Sequence, residues 1–451
     1  MTKKESMTSR ELALKVLQNI ESGEKKSGTA LHEQLSHTSL NQNDRALATE
    51  LVNGVLRRRL TLDTFIGRYY HHRYEKAAPV LKNILRIGAY QLIYLDRIPH
   101  WAAVNESVSL ARRYKGEHMA KLVNAVLRNI TPETISADLD PSGKMKEIQR
   151  LSITASHPEW LLERWIARYG KERAEAILAY NNRTPLTGFR INPLKTTPQE
   201  FLATENSKTA RIGKSGLENF FLSTEFSCYE SAIKQGLLTV QNPTQGLACL
   251  LCDPQPGSTL LDLCAAPGGK STFCGELMQN TGNITAVDLY SQKLQKLSEH
   301  AGELGITIIS TAEADARTYL PEQPPAVILL DAPCSGTGVL ARRAELRWKL
   351  TSETITELAL LQVELLDHAA SLLAENGTLL YATCSIEPEE NEQQIEAFLI
   401  RHPEFMRDPA SGALPEPFAS KAVPNGTLLT LPGEHEGFDG GFAQRLKKTA
   451  P

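Results

Sequence analysis

The chain has no uninterrupted apolar run of 18 residues, so no segment reads as a membrane-crossing helix, and no membrane partner is expected. Its first ten residues, M-T-K-K-E-S-M-T-S-R, lack the apolar core of a secretory leader. Cysteine is scarce. The seven present are scattered through the central and C-terminal parts in no paired framework, which fits reduced thiols and a cytoplasmic setting rather than a disulfide scaffold. There is no internal repeat and no low-complexity tract. Metal-ligand sets are missing too. Cys249 and Cys252 have C-x-x-C spacing, but no second pair follows at zinc-site distance, and their apolar, helix-like surroundings favour core packing. His71 and His72 have no partner ligands in view. No metal site is expected.

What is there is ordinary in bulk: 451 residues, 41% hydrophobic and 22% charged, the length of about three soluble domains. The net charge of −3 hides an asymmetry, because residues 1–130 hold 21 Lys+Arg against 12 Asp+Glu while the remainder holds 28 against 40. A basic first part on an acidic whole suggests a nucleic-acid contact surface there; a solvated helical face is the alternative.

Residues 9–130 carry helical spacing throughout, with Leu12, Leu14, Val16 and Leu17, then Leu47, Leu51, Val55 and Leu56, on apolar faces. A polar, turn-rich stretch at 131–145 reads as a linker. From 145 to 235, helix patterns and then a strand at Gly188–Asn192 and a short helix from Pro198 suggest a small α+β module. From 236 to 451 strand and helix patterns alternate, as a parallel sheet requires. Strands are expected at 259–265, 283–288, 306–311, 326–331 and 377–384, and helices at 268–280, 291–304, 352–374 and 388–401. A closing hairpin is expected near 426–431 and 441–447.

The stretch T-L-L-D-L-C-A-A-P-G-G-K-S, Thr259 to Ser271, organises that last region. A buried strand runs through small residues and a proline-glycine turn into a helix, which lets a ligand approach the backbone at a helix N-terminus. It is not a P-loop, because the first glycine of that motif falls at Cys264, and G-x-G-x-x-G is absent as well. Asp288, about 20 residues on and at the end of the next strand, suits a ribose. A ribose without a diphosphate suggests S-adenosylmethionine (SAM). An ordinary strand-turn-helix is the plainer alternative.

Two further strands end in chemistry. Val327–Leu330 delivers D-A-P-C-S-G, with Asp331 and Cys334, and Thr378–Ala382 delivers T-C-S, with Cys384. Either cysteine alone reads as a small buried hydrophobe. Two at the strand ends where a SAM turn sits fit methylation at carbon 5 of a pyrimidine. That carbon is a poor nucleophile until a thiolate adds to carbon 6, and a second acid/base group then assists removal of the carbon-5 proton. Asp331 is placed to bond the polar edge of the base. Arg342, Arg343 and Arg347 in the following loop are expected to bind phosphates.

These strings resemble the bacterial RsmB (Fmu/Sun) family of rRNA cytosine-5 methyltransferases over nearly the whole chain. D-L-C-A-A-P-G-G-K-S matches the SAM motif, D-A-P-C-S-G-T-G-V the proline-cysteine motif and A-T-C-S-I the threonine-cysteine motif. Arg190 to Lys195 (R-I-N-P-L-K) resembles the family's middle module, and Asp44–Ala46 with Glu50–Val55 its NusB-like helical RNA-binding domain. Two departures stand beside the chemistry: no proline precedes the acid in the loop Arg342–Trp348, and glycine replaces a second aromatic in D-G-G-F-A-Q-R-L, Asp439–Leu446.

The resemblance implies a fold and roles. The fold is an all-α NusB-like domain at 1–135, a small α+β module at 145–235, and at 236–451 a Rossmann-like SAM-dependent methyltransferase domain with a doubly wound, mostly parallel seven-stranded sheet. Cys264, Ala265, Ala266, Pro267, Gly268, Gly269, Lys270, Asp288, Asp315 and Asp331 would line the SAM site. Cys384 would be the nucleophile, and Cys334 would assist product release. The implied product is 5-methylcytosine at position 967 of 16S rRNA, made by a cytoplasmic monomer. The alternatives are the same reaction on tRNA or 23S rRNA, or a non-catalytic RNA-binding assembly factor, against which intact Cys334, Cys384 and Asp331 argue.

Overall fold

The computed structural model describes residues 7–23, 27–131, 133, 143–204, 211–212, 216–409, 414–422 and 425–449. Most of the expected linker at 131–145 lies outside them. The chain divides into two compact units: residues 1–183 with Leu340–Lys349, and Thr184–Val339 with Leu350 onward. The division between Arg183 and Thr184 runs through the stretch 145–235.

The first unit is helical. Six helices, Ser9–Glu21, Ser27–Ser36, Gln42–Tyr69, Pro79–Tyr94, His100–Lys115 and Glu117–Leu127, share one core that includes Leu12, Val16, Leu51, Val55, Ile84 and Val123. Their starts follow from sequence. Asn41 accepts from the backbone N–H of Asp44, and Pro79 opens its helix where a missing N–H costs nothing. Three more α-helices among the described residues, Glu147–Ala155, Glu159–Tyr169 and Lys171–Asn181, belong to the same unit.

The Leu340–Lys349 segment belongs to this helical unit although it follows the proline-cysteine string in sequence. Arg347 is fully buried, so the expectation that it binds phosphate is wrong. Its guanidinium donates instead to the carbonyls of Arg57, Ser156, Asn181 and Leu340 and to Asn182 Oδ1, at 3.0–3.3 Å. Ser156 and Asn181 end two helices, whose negative dipole ends favour a cation there. Burial, then repulsion from Arg57 and Arg58, pulls Arg347 down to about 9. Trp348 Nε1 donates to the Leu56 carbonyl at 2.7 Å.

Among the described residues the second unit holds two sheets. The smaller is antiparallel, in the order β2–β3–β1–β4, from β1 (Thr187–Ile191), β2 (Arg211–Ile212), β3 (Phe220–Ser223) and β4 (Leu238–Val240). Phe189, Phe221 and Tyr229 pack together in its core. The larger sheet uses β5 (Thr259–Leu263), β6 (Asn283–Asp288), β7 (Ile309–Glu313), β8 (Val327–Asp331), β9 (Thr378–Thr383), β10 (Phe405–Arg407), β11 (Thr427–Thr430) and β12 (Gly441–Lys448). Seven of these run in the order β10–β12–β9–β8–β5–β6–β7, and β11 adds to β12 as an eighth among the described residues. Strands β5 to β9 are parallel, while β10, β11 and β12 are antiparallel.

Alternation along the central strands splits the core in two. Leu260, Ile284, Leu329 and Leu380 pack on one face, and Leu261, Leu263, Ile328, Leu330 and Leu379 on the other. The third parallel strand begins at Ile309 rather than 306. Gly305 ends the helix Ser291–Leu304 in a left-handed turn, and the Ile306 N–H bonds back to the Ala301 carbonyl, so Ile306 closes a helix cap instead of opening a strand.

From β5 the chain winds outward through β6 and β7, then returns to β8 on β5's other side. The β5–β8 border is therefore the switch point, where an open α/β sheet leaves a crevice at its C-terminal edge.

Candidate active site

Every residue expected to hold SAM or to act in catalysis lies in the second unit. At the end of β5, Cys264 takes a left-handed backbone (φ 64°) and Ala265 N–H bonds the Val287 carbonyl at 2.9 Å. The Ala266–Pro267 bond is cis. Gly268 has φ 97°, and a Cβ there would lie 2.3 Å from Leu297, so only glycine fits this turn. Gly269 and Lys270 begin the helix Gly269–Leu277.

Asp288, at the tip of β6, shapes the turn from outside. Its two carboxylate oxygens accept the backbone N–H groups of Ala266 (3.1 Å) and Tyr290 (3.2 Å). The Ala314 N–H bonds the Asp288 carbonyl at 3.2 Å, which brings Asp315 to the neighbouring strand end. Asp315 is gripped by Arg317, 2.6 Å away, which holds its carboxyl below the usual range.

Burial pushes the Cys264 thiol up to about 12, and Asp262, Asp331, Asp288 and Asp315 add to the shift. Cys264 is thus a neutral thiol ringed by four acids. Asp262, buried within β5, accepts from Ser271 Oγ, and burial raises it to about 7.

Lys270 and Asp331 bridge the switch point. Lys270 Nζ lies 2.5 Å from Asp331 Oδ2. Burial opposes the Lys270 charge, but Asp331 outweighs it and raises the lysine above its ordinary value.

Beyond Asp331 the two cysteine loops meet. Cys334 Sγ and Cys384 Sγ are 3.1 Å apart, and the Cys384 N–H reaches Cys334 Sγ at 3.3 Å. The hydrogen bond to Cys384, then burial, then Cys384's own charge, push the Cys334 thiol far up. A buried polar frame fixes this pair. Glu390 accepts from the Ser335 N–H at 2.8 Å and from the Ser335 hydroxyl, and Gln362 Nε2 reaches it at 3.2 Å. Ser335 Oγ meets Ser385 Oγ at 3.1 Å, and Thr337 Oγ1 meets the same hydroxyl at 3.2 Å. Burial pushes the Glu390 carboxyl up against these bonds.

The frame extends to the C-terminal strand. Gly440 N–H donates to the Gly338 carbonyl at 2.8 Å, and a Cβ on Gly440 would lie 2.8 Å from the Gly338 Cα. Gly440 is thus needed for close contact between these two loops. A cavity lined by Lys270, Cys384, Thr244, Asp439 and Gly440 opens beside the second cysteine.

Sequence reasoning missed Glu390, Gln362 and Thr337. Only the serine that follows each cysteine hinted at a shared frame. It also missed what Arg190 does. Arg190 is fully buried, pairs with Glu276 at 2.8 Å, and donates to the Gly269 carbonyl at 3.1 Å. Asn192 donates to the carbonyls of Gly236 and Leu304 at 2.8 and 2.9 Å, and Lys195 Nζ to those of Gln235 and Glu303 at 2.9 and 2.6 Å. The R-I-N-P-L-K string clamps the small sheet onto the helices of the large one.

A doubly wound sheet with this turn, this strand-end acid and this crevice defines a Rossmann-like SAM-dependent methyltransferase. The family model described as "16S rRNA methyltransferase RsmB/F" matches residues 249–447, the NusB family model residues 7–132, and the RsmF/B-like ferredoxin-like domain residues 157–211. The chain is 37% identical to "Probable ribosomal RNA small subunit methyltransferase B" of Synechocystis, over 98% of this chain and 100% of that one. It is 34% identical to ribosomal RNA small subunit methyltransferase B of Cronobacter sakazakii, over 99% and 100%. A crystal structure of a methyltransferase homolog from Pyrococcus horikoshii superposes with a TM-score of 0.57 at 26% identity, covering 67% of this chain and 99% of its own. The chain belongs to the RsmB/F family of rRNA small subunit methyltransferases. Among the described residues, no helix is long and apolar enough to cross a membrane.

Proposed function

We propose that this protein converts a cytosine of 16S rRNA, position 967 in the family's assignment, to 5-methylcytosine, with Cys384 as nucleophile and Cys334 as the group that resolves the adduct. The observation that carries the reading is the 3.1 Å contact between the two thiols at the ends of β8 and β9.

The residues present fit the cofactor. Asp288 spends one lone pair of each carboxylate oxygen on the backbone and keeps others for ribose hydroxyls. The small residues Ala265 to Gly269 leave the backbone open to a ligand. Cys264, Ala265, Ala266, Pro267, Gly268, Gly269, Lys270, Asp315 and Asp331 complete the proposed site. Bound SAM supplies an electrophilic methyl group.

The chain's own residues do the rest. The Cys384 thiolate adds to carbon 6 of the cytosine, forming the S–C6 bond and making carbon 5 electron-rich. Asp331, held by Lys270, orients the polar edge of the base. Two thiols this close share one negative charge at most, since each ion disfavours the other. Once Cys384 becomes a thioether, its hydrogen bond and charge no longer hold Cys334 in its neutral form. Carbon 5 would take the methyl group that bound SAM supplies, with S-adenosylhomocysteine as the leaving group, and Cys334, its own proton given up to solvent, then takes the carbon-5 proton. The C5–H electron pair restores the C5–C6 double bond, the S–C6 bond breaks, and Cys384 leaves as thiolate. The work would be done in the cytoplasm by a monomer with a NusB-like domain on the RNA.

The test is transfer of labelled methyl from SAM to 16S rRNA, with 5-methylcytosine mapped in rRNA from cells with and without the protein. Label confined to tRNA or 23S rRNA would move the substrate. Absence of any transfer would leave an assembly factor.

A further inference from the structure

A cavity of about 570 Å³ lies wholly within the helical unit, and none of its lining residues is one the chemistry uses. It is lined by the end of the first helix (Gln18 to Ser22), by Leu56, Arg59, Pro79, Lys82 and Arg86, and by Glu345, Trp348 and Lys349 of the inserted segment. The volume is that of an ordinary small-ligand site.

The charges in it are unevenly spent. Arg86 is bound by Glu21 at 2.6 Å and by Asp63 at 2.7 Å. Glu345 accepts from Ser27 Oγ at 2.8 Å, with Arg343 3.9 Å away. Arg59 fares worse. Among the described residues its ion pair is with Asp63 at 4.0 Å, a carboxylate that Arg86 already holds in a two-pronged grip. Burial, and then repulsion from Arg86, disfavour its charge. Lys82 spends one N–H on the Glu75 carbonyl, and Lys349 is exposed.

Trp348 lines the same cavity as these cations. Its indole N–H is anchored to the Leu56 carbonyl, which fixes the ring, and the Arg59 guanidinium lies 5.7 Å from its centroid. A fixed, half-exposed indole beside an under-compensated guanidinium and two lysines matches a ligand with a flat aromatic part and a phosphate.

We propose that this cavity binds one unpaired nucleotide of the RNA substrate, its base against Trp348 and its phosphate on Arg59 with Lys82 and Lys349. The inference rests on the reading of the protein as an rRNA methyltransferase. It assigns a nucleotide site to the loop that follows the proline-cysteine string, where Trp348 and Lys349 reside.

Two measurements test it. First, a 16S rRNA fragment carrying 5-iodouridine is crosslinked to the full-length wild-type protein, and the joined peptides are read by mass spectrometry. A crosslink within the peptide holding Trp348 is expected. Second, RNA affinity is measured by anisotropy across a salt series for wild type, Arg59→Ala, Arg59→Lys and Trp348→Phe. Arg59→Ala should weaken binding about five- to twentyfold and lower the salt slope by about one, while Arg59→Lys keeps most of the affinity. Melting temperature and SAM affinity report whether each variant is folded. Unchanged affinity and slope for Arg59→Ala, with crosslinks confined to other peptides, would overturn the proposal even if wild type methylates rRNA normally. Weakened RNA binding by Arg59→Ala, in a protein that transfers no methyl, would keep the nucleotide site and discard the catalytic reading.

Discussion

Cys334 Sγ sits 3.1 Å from Cys384 Sγ and accepts the N–H of that same cysteine, so the two thiols are one unit held from both loops. The unit makes opposite predictions for its members. Cys384→Ser should abolish methyl transfer and leave SAM affinity unchanged, because a hydroxyl is a far weaker nucleophile than a thiolate. Cys334→Ala should still transfer methyl but stall before elimination, leaving protein attached to methylated RNA. The double variant should form no adduct. A denaturing gel with labelled RNA reads all three, and a retarded band from Cys384→Ser alone would exchange the two roles.

Asp288→Ala should weaken SAM binding by roughly 1.5–3 kcal/mol, the range for a hydrogen bond to a charged group. The same change frees the Ala266 and Tyr290 N–H groups, so the turn loosens as well. Calorimetry with SAM checks it; an unchanged dissociation constant removes Asp288 from the site.

Glu390 touches no reacting atom in this scheme, yet it fixes the Ser335 loop. Glu390→Ala should cost about 1–3 kcal/mol of stability, since it strands buried donors. It should also lower kcat roughly tenfold to a hundredfold through misplacement of Cys334. KM for RNA and affinity for SAM should hardly move, which separates positioning from general damage.

Arg190 and Glu276 are both without exposure. Glu276→Ala leaves a buried guanidinium unpaired and should cost about 3–5 kcal/mol in urea unfolding. Arg190→Met combined with Glu276→Leu should recover most of the loss.

Asp262 gives a pH signature. Burial raises its folded pKa to about 7, above the unfolded value. The folded protein therefore holds the extra proton. The stabilisation is complete below about pH 4 and is lost as pH rises through about 7. Relative to wild type, Asp262→Asn should gain about 2–4 kcal/mol between pH 5 and pH 8. A difference that stays flat across that range would show that Asp262 is ionised throughout.

The turn after β5, the strand-end acids and both cysteines could be read in the sequence because each lies in one contiguous string whose local shape is dictated by its own residues. Asp288 needed only the next strand. The frame around the cysteines could not be read in that way. Ser335 and Glu390 are far apart in sequence, and their contact depends on how β8 and β9 pair. Arg347 shows the limit from the other side. In sequence it is one more cation in a polar loop, and only the converging carbonyls of two helix ends make it an interior residue. Arg190 likewise stood in a familiar string without its partner Glu276, which lies on a helix of the other sheet's layer.

The Leu340–Lys349 segment makes the helical unit discontinuous in sequence. The chain enters it, leaves at residue 183, and is borrowed again for ten residues from the middle of the catalytic unit. Cutting the protein at residue 183 would therefore not yield two self-sufficient halves. The N-terminal fragment would have an empty socket where Arg347 belongs. In the C-terminal fragment, of the partners named above, Arg347 would keep the Leu340 carbonyl alone and Trp348 would lose the Leu56 carbonyl. Supplied as separate polypeptides, the halves would have to rejoin by one threading its loop into the other, so recovery of activity from a mixture should depend on an intact Arg347.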